Sequence, residues 1–80
     1  MREKVHGHIK DALEASARIS VAALDDAQTL GDLGLDDLDS VELIMTLEET
    51  LNIELPESEL SAESTNTIAE ITDLILRKIP

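Results

Sequence analysis

Three carboxylates and one hydroxyl stand close together in the segment GLDDLDS, residues 34–40. The acids are Asp36, Asp37 and Asp39, and Ser40 is the hydroxyl. A serine side chain can act as a nucleophile, whereas carboxylates at a helix start accept N–H groups and complement the helix dipole. The spacing therefore indicates either covalent modification of a hydroxyl or a capped, strongly anionic helix start.

Other residue types that carry chemistry give weaker signals. The chain has no Cys, so a disulfide, a thiolate metal ligand and a Cys nucleophile are all excluded. His6 and His8 lie two residues apart on a predicted helix and point to different faces, so we expect exposed side chains rather than metal ligands. An EF-hand site among the aspartates of residues 32–39 lacks the required central Gly and distal Glu. We predict no catalytic residue and no metal site.

The charge pattern restricts the possible partners. The formal net charge is −12, and no Lys or Arg occurs between Ser20 and Leu76. Such a surface repels phosphate backbones and anionic lipid, and the absence of Phe, Tyr and Trp excludes stacking on bases. We therefore expect no nucleic-acid or membrane partner, and instead attraction to basic patches on other proteins. The sequence shows neither a signal-peptide core nor a membrane-length apolar run, which predicts a cytoplasmic protein.

Apolar spacing predicts an all-α fold in a single domain over residues 1–80. A first amphipathic helix is expected over 2–17. Residues 19–36 follow neither the helical nor the strand period, and their scattered apolar side chains indicate a long loop packed by its own residues. A second helix is expected over 37–51, with Asp36 as its N-cap.

The C-terminal third completes the predicted bundle. A short helix is expected near 57–63, after Pro56. The last helix should begin after Thr67, which has capping-box spacing with Glu70. The predicted architecture is a small monomeric four-helix bundle, with a long packed loop between its first two helices and a short third helix.

The second predicted helix has two apolar faces. A core face of roughly 100° is followed on the opposite side by a narrower apolar stripe. The core face contains Leu43, Ile44, Leu47 and Leu51, the stripe contains Leu38, Val41 and Met45, and the stripe is flanked by Glu42, Glu48 and Glu49. The stripe could pack under the long loop, or it could form a docking surface for partners with Lys and Arg. We favour docking, because a helix in so small a bundle can hardly bury two opposed faces.

The stretch LGLDDLDSVELIMTLEETLNIELP, residues 33–56, resembles the acyl carrier proteins. The signature of that family runs Leu-Gly-x-Asp-Ser-Leu, then Val-Glu-Leu, Leu-Glu-Glu and Ile-Pro. The corresponding elements here are Leu33-Gly34, Asp36, Leu38, the run 41–43, the run 47–49 and Leu55-Pro56. The predicted order of helices agrees as well, so the resemblance covers essentially the whole chain.

The resemblance implies a carrier rather than an enzyme. In that family the serine of the triplet holds 4′-phosphopantetheine, whose thiol carries a fatty, polyketide or related acyl chain as a thioester. The second helix is the family's recognition helix for acyl-chain synthases, transferases and phosphopantetheinyl transferase, through basic patches on those enzymes. Carried over to this chain, the partner-binding residues are Asp36, Leu38, Val41, Glu42, Met45, Glu48 and Glu49.

The chain departs from the signature at the attachment position. Asp36-Asp37-Leu38 stands where Asp-Ser-Leu belongs, and the flanking landmarks keep their spacing, so Asp37 occupies the place of the serine. Ser40 is the alternative attachment residue, but moving the motif by three residues puts every later landmark out of register. On a helical wheel Ser40 also falls within the core arc, where we expect its hydroxyl to bond back to the helix backbone. Asp37 can imitate the negative charge of a modified serine at a helix N-terminus.

Two functions remain open from the sequence. One is a working thioester carrier that uses Ser40, and the other is an unmodified module that docks onto carrier-dependent enzymes. We favour the unmodified state, because Asp37 has no hydroxyl and Ser40 is predicted to face the core.

Overall fold

The computed structural model describes residues 1–56, 58–60 and 64–79. Its helices are α1 (Arg2–Ala17), a short 3₁₀ helix (Gly31–Leu33), α2 (Asp37–Leu51) and α3 (Ile68–Lys78). The predicted all-α class and the predicted bounds of the first two helices are confirmed. Within these ranges there is no β-strand, only an isolated bridge between Thr29 and Thr67. No helix in this part of the chain has the length and hydrophobicity needed to cross a membrane.

The predicted short helix over 57–63 is not confirmed. Residue 57 and residues 61–63 lie outside the described residues. The described part, residues 58–60, forms a turn and a bend, in which the N–H groups of Glu59 and Leu60 both donate to the Pro56 carbonyl at 3.0 Å. The described residues therefore give three α-helices rather than four.

The core is aliphatic, and α1 packs against both other α-helices. Each helix contributes one apolar face, and two loop segments complete the core. The buried apolar residues are Val5, Ile9, Ala12 and Leu13 of α1, Leu43, Ile44 and Leu47 of α2, Ile68, Ile71, Leu74 and Ile75 of α3, and Leu30, Leu35, Leu55 and Leu60 between the helices. Burial of these side chains is the main force that holds the helices together.

The loop between α1 and α2 is packed by its own side chains, as predicted. Leu30 and Leu35 are buried, and Val21, Leu24 and Leu33 pack against the core from half-buried positions. The 3₁₀ helix in this loop was not predicted from the sequence. That helix ends at Gly34, whose φ of 95° is a conformation that favours glycine.

The same loop holds the beginning of α3. The first two N–H groups of α3, those of Ile68 and Ala69, donate to the carbonyls of Gln28 (2.8 Å) and Asp26 (3.1 Å). The Thr67 side chain accepts from Glu70 N–H, and this confirms the predicted capping box. Loop carbonyls and a cap together satisfy donors that a helix N-terminus otherwise leaves unpaired.

A charged cluster joins the start of α1 to the loop and to α3. Arg2 pairs with Asp26 at 2.9 Å and also with Asp73, and His6 Nε2 lies 2.9 Å from Asp26 Oδ1. The hydrogen bond with His6, opposed by partial burial and reinforced by Arg2, lowers the pKa of Asp26. The expectation that both histidines are exposed was wrong, because the His6 side chain is only 20% exposed and His8 is half-buried.

The two faces predicted for α2 are both present. Leu43 and Leu47 are fully buried, whereas Leu38 and Met45 are 67% and 52% exposed. The long loop therefore does not cover the second stripe. The alternative in which Leu38 and Met45 are core residues is therefore wrong, while Val41 of the same stripe is half-buried.

Truncation should distinguish the two faces energetically. Leu47→Ala should lower the free energy of unfolding by about 2–5 kcal/mol, because it leaves a cavity in the core. Met45→Ala removes an exposed side chain and should cost about 0.5 kcal/mol or less. Denaturant unfolding of the two variants measures both values. Similar large losses at the two positions would show that Met45 stabilises the fold and is not free for docking.

Candidate attachment and docking site on α2

The first turn of α2 is fixed by a reciprocal pair of aspartates. The Asp36 carboxylate accepts the Asp39 N–H at 2.8 Å, and the Asp39 carboxylate accepts the Asp36 N–H at 3.4 Å. Asp36 has extended backbone angles, as an N-cap requires, so its predicted role is confirmed. Asp39 does more than complement the dipole, because it completes a capping box.

Asp37, which the sequence predicts to occupy the place of the attachment serine, lies at the exposed beginning of α2. Its Oδ1 accepts the backbone N–H of Ser64 at 3.1 Å, across the gap between α2 and the segment that leads into α3. A carboxylate in the first turn of a helix is also stabilised by the helix dipole. The position thus holds a fixed negative charge and offers no hydroxyl.

Ser40 is buried one turn further along α2. Its side chain is inaccessible to solvent, and its Oγ donates to the Asp36 carbonyl at 2.8 Å. This placement confirms the expectation that the Ser40 hydroxyl faces the core and bonds back to the helix. An enzyme that transfers a group to a serine must reach its oxygen, so Ser40 is shielded in this conformation.

The exposed face of α2 combines apolar contact area with negative charge. Leu38, Glu42, Met45 and Glu49 are exposed, while Val41 is half-buried. These five residues define what we call the docking face. Among the described residues no ion pair reaches a carboxylate of α2, so the charges of this face have no internal counterion.

A shallow groove of about 250 Å³ extends the docking face towards the end of α1. It is lined by Ser16, Glu42, Met45, Thr46 and Glu49. An apolar floor flanked by two carboxylates suits a long basic side chain, whose aliphatic stem can lie on Met45 while its charge meets the acids.

Glu48 has a different environment from its neighbour Glu49. It is half-buried, and its Oε2 accepts the Leu55 N–H at 2.9 Å. One oxygen of this predicted partner-binding residue therefore ties the end of α2 to the following loop. Asp36, also predicted to bind partners, has one carboxylate oxygen engaged in the capping box.

Sequence reasoning missed Ser64 as the residue that holds Asp37. The two residues are 27 positions apart, and the contact uses a backbone N–H, which leaves no trace in the choice of side chain. Ser16 and Thr46, which line the groove, were also missed. Their helical positions could be read from the sequence, but the approach of α1 to α2 could not.

The side chains at this site do not fit covalent attachment of phosphopantetheine. A phosphodiester link requires a hydroxyl oxygen that can attack a pyrophosphate. The carboxylate of Asp37 would form a mixed anhydride rather than a stable phosphodiester. The hydroxyl of Ser40 is buried and already donates to the Asp36 carbonyl.

Comparison with known proteins places the chain in a family. Residues 5–75 match the family described as "Phosphopantetheine attachment site". The chain is 39% identical over 77 residues to an acyl carrier protein of Thermosynechococcus vestitus, an alignment that covers 96% of this chain and 89% of that protein. It is likewise 39% identical to an acyl carrier protein of Akkermansia muciniphila, over 94% of this chain and 88% of that one.

Two further comparisons are more limited. An acyl carrier protein of Buchnera aphidicola is 49% identical over 53 residues, and this alignment spans 66% of the chain but only 64% of that relative. The crystal structure of an acyl carrier protein from Thermotoga maritima superimposes with a TM-score of 0.83 over 96% of this chain and 88% of that one. Its sequence identity is 19%, so this likeness shows the fold alone.

Substitution of the neighbouring residues Glu48 and Glu49 should separate a structural role from a docking role. Glu48→Ala removes a charge-assisted hydrogen bond to Leu55 and should cost roughly 1–2 kcal/mol of unfolding free energy. Glu49→Ala, the matched control on the same helix, should change stability by about 0.5 kcal/mol or less, yet weaken binding to a basic partner. Thermal or denaturant unfolding, with calorimetric binding to a phosphopantetheinyl transferase, measures both effects. Equal losses of unfolding free energy in the two variants would show that the hydrogen bond of Glu48 does not stabilise the fold.

Proposed function

This chain belongs to the phosphopantetheine-attachment family of acyl carrier proteins, which are carriers and not enzymes, and we propose that it docks onto carrier-dependent enzymes without holding an acyl group itself. The observation that carries this proposal is the chemistry at position 37. The aligned attachment position bears a carboxylate held by the Ser64 N–H, and the nearest hydroxyl, that of Ser40, is buried. In the form given by this sequence, the protein therefore stays unmodified.

The docking face supports the interaction half of the proposal. Leu38 and Met45 supply exposed apolar area, and Glu42 and Glu49 supply unpaired negative charge beside it. Apolar contact contributes affinity, while charge complementarity speeds association and sets orientation. The expected partners are acyl-chain synthases and transferases with basic patches, and the phosphopantetheinyl transferase that acts on carriers of this family.

Asp37 adds a further reason why docking does not require the arm. A modified serine presents a phosphate charge at the first turn of the helix. The Asp37 carboxylate has the same sign at the same position, where a negative charge gains about 0.3–1 kcal/mol from the dipole. We infer that partners that recognise the anionic start of α2 still find one there.

The alternative is a working carrier that uses Ser40. Modification there would require the hydroxyl to leave its bond to the Asp36 carbonyl and to rotate out of the core, which would disturb the first turn of α2. The aliphatic core is equally compatible with a role in fatty acid, polyketide or related acyl pathways.

Incubation with coenzyme A and a broad-specificity phosphopantetheinyl transferase tests the proposal by intact mass. The chain as written should gain no phosphopantetheine. Asp37→Ser should become modified, because it restores a hydroxyl at an exposed position in the first turn of α2. The double variant Asp37→Ser, Ser40→Ala should be modified as well.

The controls decide between the two attachment positions. Ser40→Ala alone should behave as the parent chain does. If the parent chain gained the arm and Ser40→Ala abolished it, the protein would be a carrier that uses Ser40. If Asp37→Ser remained unmodified, position 37 would not be the attachment position.

A further inference from the structure

The backbone of Ser64 is held from both sides. Its N–H donates to Asp37 Oδ1 at 3.1 Å, and its carbonyl accepts the Gly31 N–H at 2.8 Å. Asp37 belongs to the first turn of α2, Gly31 begins the 3₁₀ helix that precedes α2, and Ser64 lies three residues before the N-cap of α3, Thr67. The backbone of this one residue therefore connects the beginning of α2 to the approach to α3.

These segments lie in close contact. A Cβ added at Gly31 would stand 3.4 Å from the Ser64 carbonyl oxygen and 3.7 Å from its Cβ. Beside this contact, the Leu30 N–H donates to the Asn66 carbonyl at 2.9 Å, and an isolated β-bridge pairs Thr29 with Thr67. The contact with Asp37 is the one member of this series that uses a side chain of α2.

We propose that the Asp37 carboxylate fixes residues 64–67 to the first turn of α2 and thereby holds the attachment end of the molecule closed. We call this set of contacts the strap. The strap consists of the hydrogen bonds from Ser64 to Asp37, from Gly31 to Ser64 and from Leu30 to Asn66. The proposal rests on the proposed function in one respect, namely that position 37 is the attachment position.

The length and charge of the side chain explain why aspartate can make this hydrogen bond with Ser64. A carboxylate oxygen lies one bond further from the backbone than a serine hydroxyl, and it is an ionised acceptor, which strengthens the bond to an N–H group. Serine at the same position would be too short to reach Ser64 without movement of the backbone. A residue that could be modified and a residue that closes the strap are therefore mutually exclusive at position 37.

Asp37 is exposed, so the strap should govern local opening rather than global unfolding. The expected consequence is that segment 64–67 opens more often when the carboxylate is lost, while the remainder of α2 stays protected. The unmodified chain would thus be closed at the end where a carrier must admit its modifying enzyme.

Amide hydrogen exchange, followed residue by residue by NMR, tests the strap. Asp37→Ala and Asp37→Ser should exchange about tenfold faster than the parent at the amides of Ser64 and Gly31, a factor equivalent to about 1.4 kcal/mol. Asp37→Asn keeps a side-chain oxygen at the same length and should retain most of the protection. The amide of Ile53, bonded to the Glu48 carbonyl beyond the other end of α2, should not change.

Asp11→Asn is the matched control, because it removes one exposed negative charge from α1 and leaves the strap intact. Unchanged exchange at Ser64 in both Asp37→Ala and Asp37→Ser would overturn the proposal. An equal acceleration at Ser64, Gly31 and Ile53 would do so as well, because it would indicate global destabilisation.

The exchange experiment and the modification experiment together distinguish a failure of the strap from a failure of the proposed function. If Asp37→Ser opens the strap but gains no phosphopantetheine, the assignment of position 37 fails and the strap stands. If Asp37→Ser is modified while exchange at Ser64 is unchanged, the assignment stands and the strap fails.

Discussion

Burial of Leu43 and Leu47 in the core determines how α2 is rotated in the fold. The reciprocal hydrogen bonds between Asp36 and Asp39 fix the residue at which the helix begins, and the period of 3.6 residues per turn relates every other side chain of α2 to the buried face. With the start at Asp37, Ser40 turns to the core and Leu38 turns to solvent. A rotation of α2 by about 100°, the angle between successive residues, would move Ser40, Leu43 and Leu47 away from the core. The side chains of α2 that are available at the surface therefore follow from which face of the helix is buried.

The remaining elements keep α2 in place while leaving its outer face free. α1 packs against both α2 and α3, and carbonyls of the loop between α1 and α2 accept the N–H groups at the beginning of α3. Arg2 and Lys78 find acidic partners inside the molecule, at Asp26, Asp73 and Glu59, and none of these partners belongs to α2. In the described part of the chain no cation pairs with a carboxylate of α2, and Glu42 and Glu49 of the docking face are exposed. Repulsion between the exposed carboxylates of the docking face lowers the free energy of unfolding.

Local features were predictable from the sequence, and contacts between distant residues were not. Apolar periodicity and the two capping patterns, at Asp36 and Thr67, placed the helix starts correctly. The same patterns predicted how α2 is rotated about its axis, and therefore that Ser40 is buried. The bonds from Asp37 to Ser64 and from Glu48 to Leu55 could not be predicted, because each joins a side chain to a backbone N–H that any residue can supply. The partial burial of His6 likewise depends on Asp26, twenty positions away, and on how the loop crosses α1.

The most direct test of the account is the mass of this segment in the protein isolated from its native cells. No Lys or Arg lies between Arg18 and Arg77, so trypsin releases residues 19–77, with both Asp37 and Ser40, as a single peptide. The account predicts that this peptide has the mass of its amino acids alone. A peptide that carries phosphopantetheine, with fragmentation that locates the group on Ser40, would contradict the account and would show that the buried hydroxyl becomes accessible in the cell.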